Sequence, residues 1–183
     1  VHISTDYVFD GSGDTPRVPS DLTAPLGAYG RTKREGELEI LDINKNAVIL
    51  RTSWVFSATG DNFVKKMLRL AQSRSEISIV SDQIGGPTSA RAIAAACHTI
   101  ATHLIHNPPN KFLNGLYHFS GSPEVSWSSF AKEIFIQTKQ NIFIKEITAS
   151  EFPTLANRPL NSRLNCTRIE KDFQIMRPNW KAE

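Results

Sequence analysis

The chain has 183 residues and a mass of 20.4 kDa, a length that suits one well-packed domain or a small two-part protein. Hydrophobic residues make up 40% and charged residues 21%, which argues against long disordered segments, and a net charge of +3 is too small for a dedicated nucleic-acid-binding protein. The two cysteines form no CxxC pair and no apolar run approaches the length of a membrane span, so we expect a cytoplasmic protein that binds neither nucleic acid nor membranes.

Strand-like and helix-like stretches alternate along most of the sequence. In chain order, the predicted elements are a strand over 2–9, a helix over 27–43, a strand over 47–51, a helix over 61–73, a strand over 77–80, a helix over 89–106, a strand over 116–119, a helix over 126–139, a strand over 142–147 and a helix over 167–173. Leu38 and Leu41 are expected to be the apolar contacts of the first helix, and Asp61 and Asn62 to cap the second. The alternation predicts an α/β fold with a largely parallel sheet.

Tyr29 and Lys33 lie four residues apart at the start of the first predicted helix, so their side chains share one helix face. A nearby ammonium favours a phenolate electrostatically, which makes such a pair typical of a general acid that protonates an oxygen while a hydride reaches its carbon. The pair alone is weak evidence, since a surface tyrosine beside a solvated lysine has the same spacing. Thr5 and Asp6 at the end of the preceding strand strengthen the functional interpretation, because ligands of open α/β sheets bind at the carboxyl ends of strands.

Five sequence blocks carry a resemblance to a known family. They are STDYVFDG at 4–11, YGRTK at 29–33, RTSWVF at 51–56, DQIGGPT at 82–88 and RPLNSRL at 158–164. In this order they resemble the dTDP-4-dehydrorhamnose reductases, which are extended short-chain dehydrogenases/reductases, and the resemblance covers nearly the whole chain. It implies the C-terminal part of a Rossmann-type parallel sheet with helices, plus a small substrate-binding α/β subdomain. We expect 1–75 to form the remaining sheet with the Tyr/Lys helix and 76–183 to form mainly the subdomain, with interleaved elements.

The resemblance also implies an activity and a set of site residues. The reaction would be the reduction, by NADPH or NADH, of the C4 keto group of dTDP-4-dehydro-6-deoxy-L-mannose to give dTDP-L-rhamnose. Tyr29 would protonate the C4 oxygen, Lys33 would favour its phenolate and contact the nicotinamide ribose, and Thr5 would hold the reacting carbonyl. Tyr29 and Ser53 would also lie at the cofactor. The expected substrate-binding residues are Asp6, Tyr7, Trp54, Asn62 and Arg158. A core tryptophan remains an alternative for Trp54, and a structural salt bridge remains one for Arg158.

A metal site is not indicated by the sequence. His98, His103 and His106 lie on one predicted helix without a carboxylate partner, which favours a partly exposed helix face, and nothing in the sequence points to magnesium.

The sequence departs from the family pattern at the cofactor loop. Gly11 and Gly13 are followed by Pro16 where a Gly-rich phosphate loop would need its third glycine. Because the chain also starts abruptly in a β-rich run, we interpret it as the C-terminal portion of a reductase that lacks most of the cofactor site. We expect this portion to be inactive alone and the full-length protein to be a homodimer. Two alternatives stay open, namely a non-catalytic subunit resembling the β subunit of methionine adenosyltransferase and another nucleotide-sugar reductase or epimerase.

Overall fold

The computed structural model describes residues 1–106, 113–154 and 156–183. In chain order its elements are β1 (His2–Thr5), α1 (Ala28–Ile43), β2 (Val48–Thr52), β3 (Val55–Phe56), α2 (Phe63–Ala71), β4 (Glu76–Val80), β5 (Ile84–Gly85), β6 (Thr88–Ser89), α3 (Ala90–His106), β7 (Gly115–His118), β8 (Val125–Ser126), α4 (Trp127–Gln137), β9 (Phe143–Ile147), β10 (Asn161–Ser162) and α5 (Thr167–Phe173). Short 3-10 turns cover Asp6–Val8, Ala149–Glu151 and Trp180–Ala182. The predicted α/β class is confirmed.

The first core surrounds a parallel sheet in the order β1-β2-β7. The sequence of β2 is a short apolar run followed by Arg51 and Thr52, and every residue of this strand is buried, as expected of a central strand covered on both faces. Side chains of the sheet pack with others from α3 and α5 into one cluster, which includes Leu50, Ile100 and Ile169. This core supports the carboxyl ends of β1 and β2.

The second core forms around the parallel pair β4–β9, with α2 and α4 packed against it. Met67 from α2 and Phe130 from α4 belong to its buried cluster. Short pairings, β3 with β6 and β5 with both β8 and β10, complete the described sheets. Each core contains elements from both sides of residue 75. The first combines β1 and β2 with α3, β7 and α5, and the second combines α2 with β4, α4 and β9. The division into 1–75 and 76–183 therefore stays a prediction with interleaved elements.

Two sequence predictions about β1 and α1 are wrong, and each has a physical reason. The strand predicted over 2–9 ends at Thr5, because the Thr5 hydroxyl accepts a hydrogen bond from the Tyr7 amide and starts a 3-10 turn. Leu38 was expected as an apolar contact of α1, but it is 52% exposed. The preceding residue, Glu37, is the fully buried one.

Candidate active site

A cavity of about 1480 Å³ opens where β1 and β2 end. Thr5 ends β1 in the wall of this cavity and Asp6 follows it, and Ser53 and Trp54 follow β2. The carboxyl ends of neighbouring parallel strands meet at one edge of a sheet, so these four side chains converge by topology. The volume exceeds the roughly 300–1,000 Å³ of most small-ligand pockets, which leaves room for a ligand with several linked groups.

The start of α1 brings Tyr29 and Lys33 to this cavity. Tyr29 is 56% exposed, and its ring meets that of Tyr7 edge to face at 5.8 Å between centroids. The Lys33 ammonium donates a hydrogen bond of 2.7 Å to the Ile3 carbonyl of β1. Gly30 allows the start of α1 to lie close to the backbone of Tyr7, since a Cβ at Gly30 would lie 2.1 Å from the Tyr7 carbonyl oxygen.

Thr5 and Asp6 form a small hydrogen-bonded unit at the end of β1. The Thr5 hydroxyl donates to Asp6 Oδ1 at 3.1 Å and accepts from the Tyr7 amide at 3.2 Å. Asp6 is only 3% exposed. Burial raises the pKa of its carboxyl group to about 6, against the opposing effect of hydrogen bonds from Ser162 and Thr5.

Trp54 is held in an unusual conformation in the wall of the cavity. Its φ of 49° lies in the left-handed region, which is rare and costly for a bulky residue. Its indole stacks on Trp127 with 3.5 Å between ring centroids and an angle of 9°, and the Trp127 indole donates to Gln83 Oε1 at 3.1 Å. Gly85 leaves space for the Trp54 ring, because a Cβ there would lie 2.6 Å from Trp54 Cε2.

The position of Trp54 is compatible with both interpretations from the sequence, a substrate-binding residue and a core tryptophan. It lines the cavity and also packs against the second core. Ser53 beside it is 1% exposed, lines the same cavity and donates its hydroxyl hydrogen to the Gly86 carbonyl at 3.1 Å.

The remaining predicted substrate-binding residues divide into two groups. Tyr7 and Arg158 line the cavity. Burial raises the pKa of Tyr7 and Asp6 adds to the rise, whereas the charge of Arg158 opposes it. Within the described part of the chain, no carboxylate forms an ion pair with Arg158, which leaves its charge available to the cavity.

Asn62 does not line the cavity wall that holds the other predicted residues. Its Oδ1 accepts from the Lys65 amide at 3.2 Å as the N-cap of α2, and its amide group donates to the Ser57 carbonyl at 2.7 Å. The capping role is confirmed. Since both ends of the side-chain amide are engaged in this cap, the geometry gives the predicted substrate contact no support.

The sequence analysis did not predict a buried ion pair that lies beneath the site. Glu37 and Arg51 are 0% and 1% exposed, and the Arg51 guanidinium donates to both carboxylate oxygens of Glu37, at 2.8 and 2.6 Å. Trp127 and Gln83 in the cavity wall were likewise missed. The one available signal was spacing, since Glu37 follows Lys33 by four residues and so shares its helix face.

Metal and membrane features were searched among the residues that the structure describes. No group of three or more His, Cys, Asp or Glu side chains there could hold a metal ion. His103 instead packs edge to face on Phe173. No helix in this described part is both long and apolar enough to cross a bilayer.

Comparison with known proteins agrees with this geometry. The model of the RmlD substrate binding domain matches residues 1–183. A dTDP-4-dehydrorhamnose reductase from Sinorhizobium fredii is 48% identical over 185 residues, which cover 99% of this chain and 62% of that protein. Among solved structures, a dTDP-4-dehydrorhamnose reductase from Clostridium acetobutylicum superposes with a TM-score of 0.90 at 35% identity, covering 99% of this chain and 61% of that one.

A second solved structure includes a cofactor. The dTDP-4-dehydrorhamnose reductase from Bacillus anthracis in complex with NADP has a TM-score of 0.86 at 35% identity, covering 99% of this chain and 62% of that one. This chain thus spans about three fifths of the length of these relatives.

The parallel sheet with a Tyr/Lys helix facing the ends of its strands defines an α/β protein of the extended short-chain dehydrogenase/reductase class. Within that class, the chain belongs to the RmlD substrate binding domain family. The resemblance inferred from the five sequence blocks is confirmed at this level.

Proposed function

We propose that this chain carries the catalytic and substrate-binding residues of an NADPH-dependent reductase that converts dTDP-4-dehydrorhamnose to dTDP-L-rhamnose. The observation that carries the proposal is the convergence of Tyr29, Lys33 and Thr5 on one large cavity at the carboxyl ends of parallel strands. The names of the relatives, one of them in complex with NADP, support the choice of substrate and cofactor.

The residues present fit one end of a nicotinamide cofactor. Lys33 and Ser53 would hold the nicotinamide ribose, since an ammonium and a hydroxyl suit its oxygens and both line the cavity. A bound nicotinamide supplies the hydride for the C4 carbon of the sugar. The chain offers no Gly-rich loop for the pyrophosphate, so we expect the 183 residues alone to bind the cofactor weakly and to be inactive.

The proton comes from this chain. The Tyr29 hydroxyl donates it to the C4 oxygen, so that the carbonyl becomes a secondary alcohol and the tyrosine a phenolate. The Lys33 ammonium, one helical turn away, stabilises that phenolate by its charge. Thr5 ends β1 at the same cavity wall, and its hydroxyl hydrogen, which Asp6 Oδ1 accepts in this structure, would turn to the carbonyl oxygen of the sugar.

The substrate is held on the side of the second core. The stacked indoles of Trp54 and Trp127 present an apolar wall, which suits a deoxysugar carrying a methyl group. Arg158 would bind the diphosphate, because a guanidinium matches phosphate oxygens in pairs. Asp6 and Tyr7 complete the polar side of the sugar site, and residues 76–183 would provide most of the nucleotide-sugar surface.

Tyr29→Phe in the whole protein tests the assignment. We expect kcat for NADPH oxidation with the keto sugar to fall by at least ~100-fold, because the proton donor is removed while the ring remains. Tyr117→Phe is the matched control, since the Tyr117 hydroxyl bonds Asp172 away from the cavity. Turnover of Tyr29→Phe within a few-fold of wild type would contradict the role. Partner binding by a wild-type protein without turnover would instead favour a regulatory subunit.

The cellular setting is also part of the proposal. The free Cys97 and Cys166 suit a reducing cytoplasm, and we propose a homodimer for the whole protein. Light scattering of that protein measures its oligomeric state directly.

A further inference from the structure

Glu37 and Arg51 form a buried, hydrogen-bonded polar cluster beneath the cavity. Besides the bidentate contact between Arg51 and Glu37, Arg51 Nη1 donates to the Pro19 carbonyl at 3.2 Å. The Ser4 hydroxyl donates to Glu37 Oε1 at 2.5 Å. Arg34 lies 3.5 Å from the other carboxylate oxygen. The hydrogen-bonding capacity of the carboxylate is therefore well used inside the protein.

Stability alone is a poor reason for such a pair. Removing two charges from water costs nearly as much free energy as their attraction returns, and apolar residues of similar volume are often equally or more stabilising. The neighbouring position shows that apolar packing was available, since Ile49, two residues before Arg51 and on the same face of β2, is fully buried. The charges of Glu37 and Arg51 therefore point to a role that depends on direction and geometry.

The location of the pair identifies that role. Tyr29, Lys33 and Glu37 succeed one another at intervals of four residues on one face of α1. Lys33 bonds the Ile3 carbonyl and Glu37 bonds the next side chain of β1, that of Ser4. These contacts lie immediately before the strand end from which Thr5 enters the cavity.

Arg51 extends the same link to the second strand. It lies directly opposite Ser4 in the parallel register of β1 and β2, two residues before Ser53. One carboxylate on α1 thus ties together the two strands whose ends build the site.

We propose that Glu37 and Arg51 are positioning residues, which fix the height and rotation of α1 against β1 and β2 so that Tyr29 and Lys33 face Thr5. This inference rests on the proposed reductase function. Neither residue lines the cavity, so both act through Lys33 and Tyr29.

Kinetic constants of the whole protein test the inference with three variants. The double variant Glu37→Leu/Arg51→Met removes both charges together, so that neither is left buried without its partner. Ser4→Ala removes the hydrogen bond from β1 to Glu37, at a residue that also lines the cavity. We expect kcat to fall ~10-fold or more in the folded double variant with KM changed less than ~3-fold, because misplacement of about 1 Å can cost that much. Glu39→Gln, an exposed change on the same helix, should leave both constants unchanged. Wild-type kcat in a folded double variant, or in Ser4→Ala if the double variant fails to fold, would overturn the proposal.

A spectroscopic readout separates positioning from stability. In protein labelled with nitrogen-15 at lysine side chains, the Lys33 ammonium should give a shifted, slowly exchanging signal owing to its bond with the Ile3 carbonyl. We expect Ser4→Ala and the double variant to change that signal and Glu39→Gln to leave it unchanged. An unchanged signal in the folded variants would refute positioning. A wild type that lacks reductase turnover while its Lys33 signal responds to Ser4→Ala would refute only the proposed reaction.

Discussion

Asp6→Asn is expected to stabilise the protein at neutral pH, because the carboxylate that it removes is buried at a cost. Burial raises the pKa of Asp6 from 3.8 to about 6, and hydrogen bonds from Ser162 and Thr5 only partly oppose the rise. At about 1.4 kcal/mol for each pKa unit, the difference corresponds to about 3 kcal/mol of unfolding free energy at pH 7. An amide of the same shape avoids this cost and still accepts the Thr5 hydrogen bond.

The direction of the pKa shift also fixes the pH dependence of stability. The folded protein binds the Asp6 proton more tightly than the unfolded chain, so the wild type gains stability as the pH falls from about 6 towards 3.8. Urea denaturation of the whole protein at a series of pH values measures this gain, which should be absent from Asp6→Asn.

Asp10→Asn provides a control of opposite sign. Hydrogen bonds from the Ser12 amide and hydroxyl lower the pKa of Asp10, so the Asp10 carboxylate stabilises the fold at neutral pH and this contribution is lost in acid. A variant Asp6→Asn that is less stable than wild type at pH 7, or that keeps the wild-type pH slope, would refute the assignment of buried charge at Asp6.

Two further substitutions test the wall of the cavity and the cap of α2. Gly85→Ala should displace the Trp54 indole, lowering the near-ultraviolet circular dichroism of the stacked pair and raising KM for the keto sugar, whereas Gly36→Ala, where a Cβ meets nothing within 4 Å, should do neither. A wild-type spectrum and KM in Gly85→Ala would show that this glycine does not hold the ring. Asn62→Ala should cost about 1 kcal/mol of stability through loss of the cap to Lys65, measured by thermal denaturation. A raised KM without loss of stability would instead restore the substrate-binding role of Asn62.

Local patterns predicted the elements that depend on local physics. The helix predicted over 167–173 has those bounds in the structure, and Asn62 caps α2 as its position before an amphipathic run indicated. Tyr29 and Lys33 reach one cavity because a spacing of four residues fixes their common face wherever the helix lies. The order of the blocks along the chain was sufficient to indicate the family.

Features that depend on tertiary packing could not be predicted in this way. Glu37 is buried in place of Leu38 because Arg51, distant in sequence, supplies its counter-charge. The left-handed Trp54 needs both the stacked Trp127 and the open space at Gly85. Contacts of this kind form only after strands and helices have packed together, so no periodicity in the sequence predicts them.

The interleaving of the two cores has a consequence for how such proteins can diversify. The chain leaves the first core after β2, enters the second with α2 and β4, and returns to the first with α3 and β7. It then enters the second core again with α4 and returns to the first with α5. A single genetic crossover cannot exchange the sugar-binding side between relatives, because any junction early enough to keep the second core whole still divides the first. New substrate preferences in this architecture are therefore expected to arise by point substitution in the cavity wall, at positions such as Gln83 and Trp127, rather than by the transfer of whole modules.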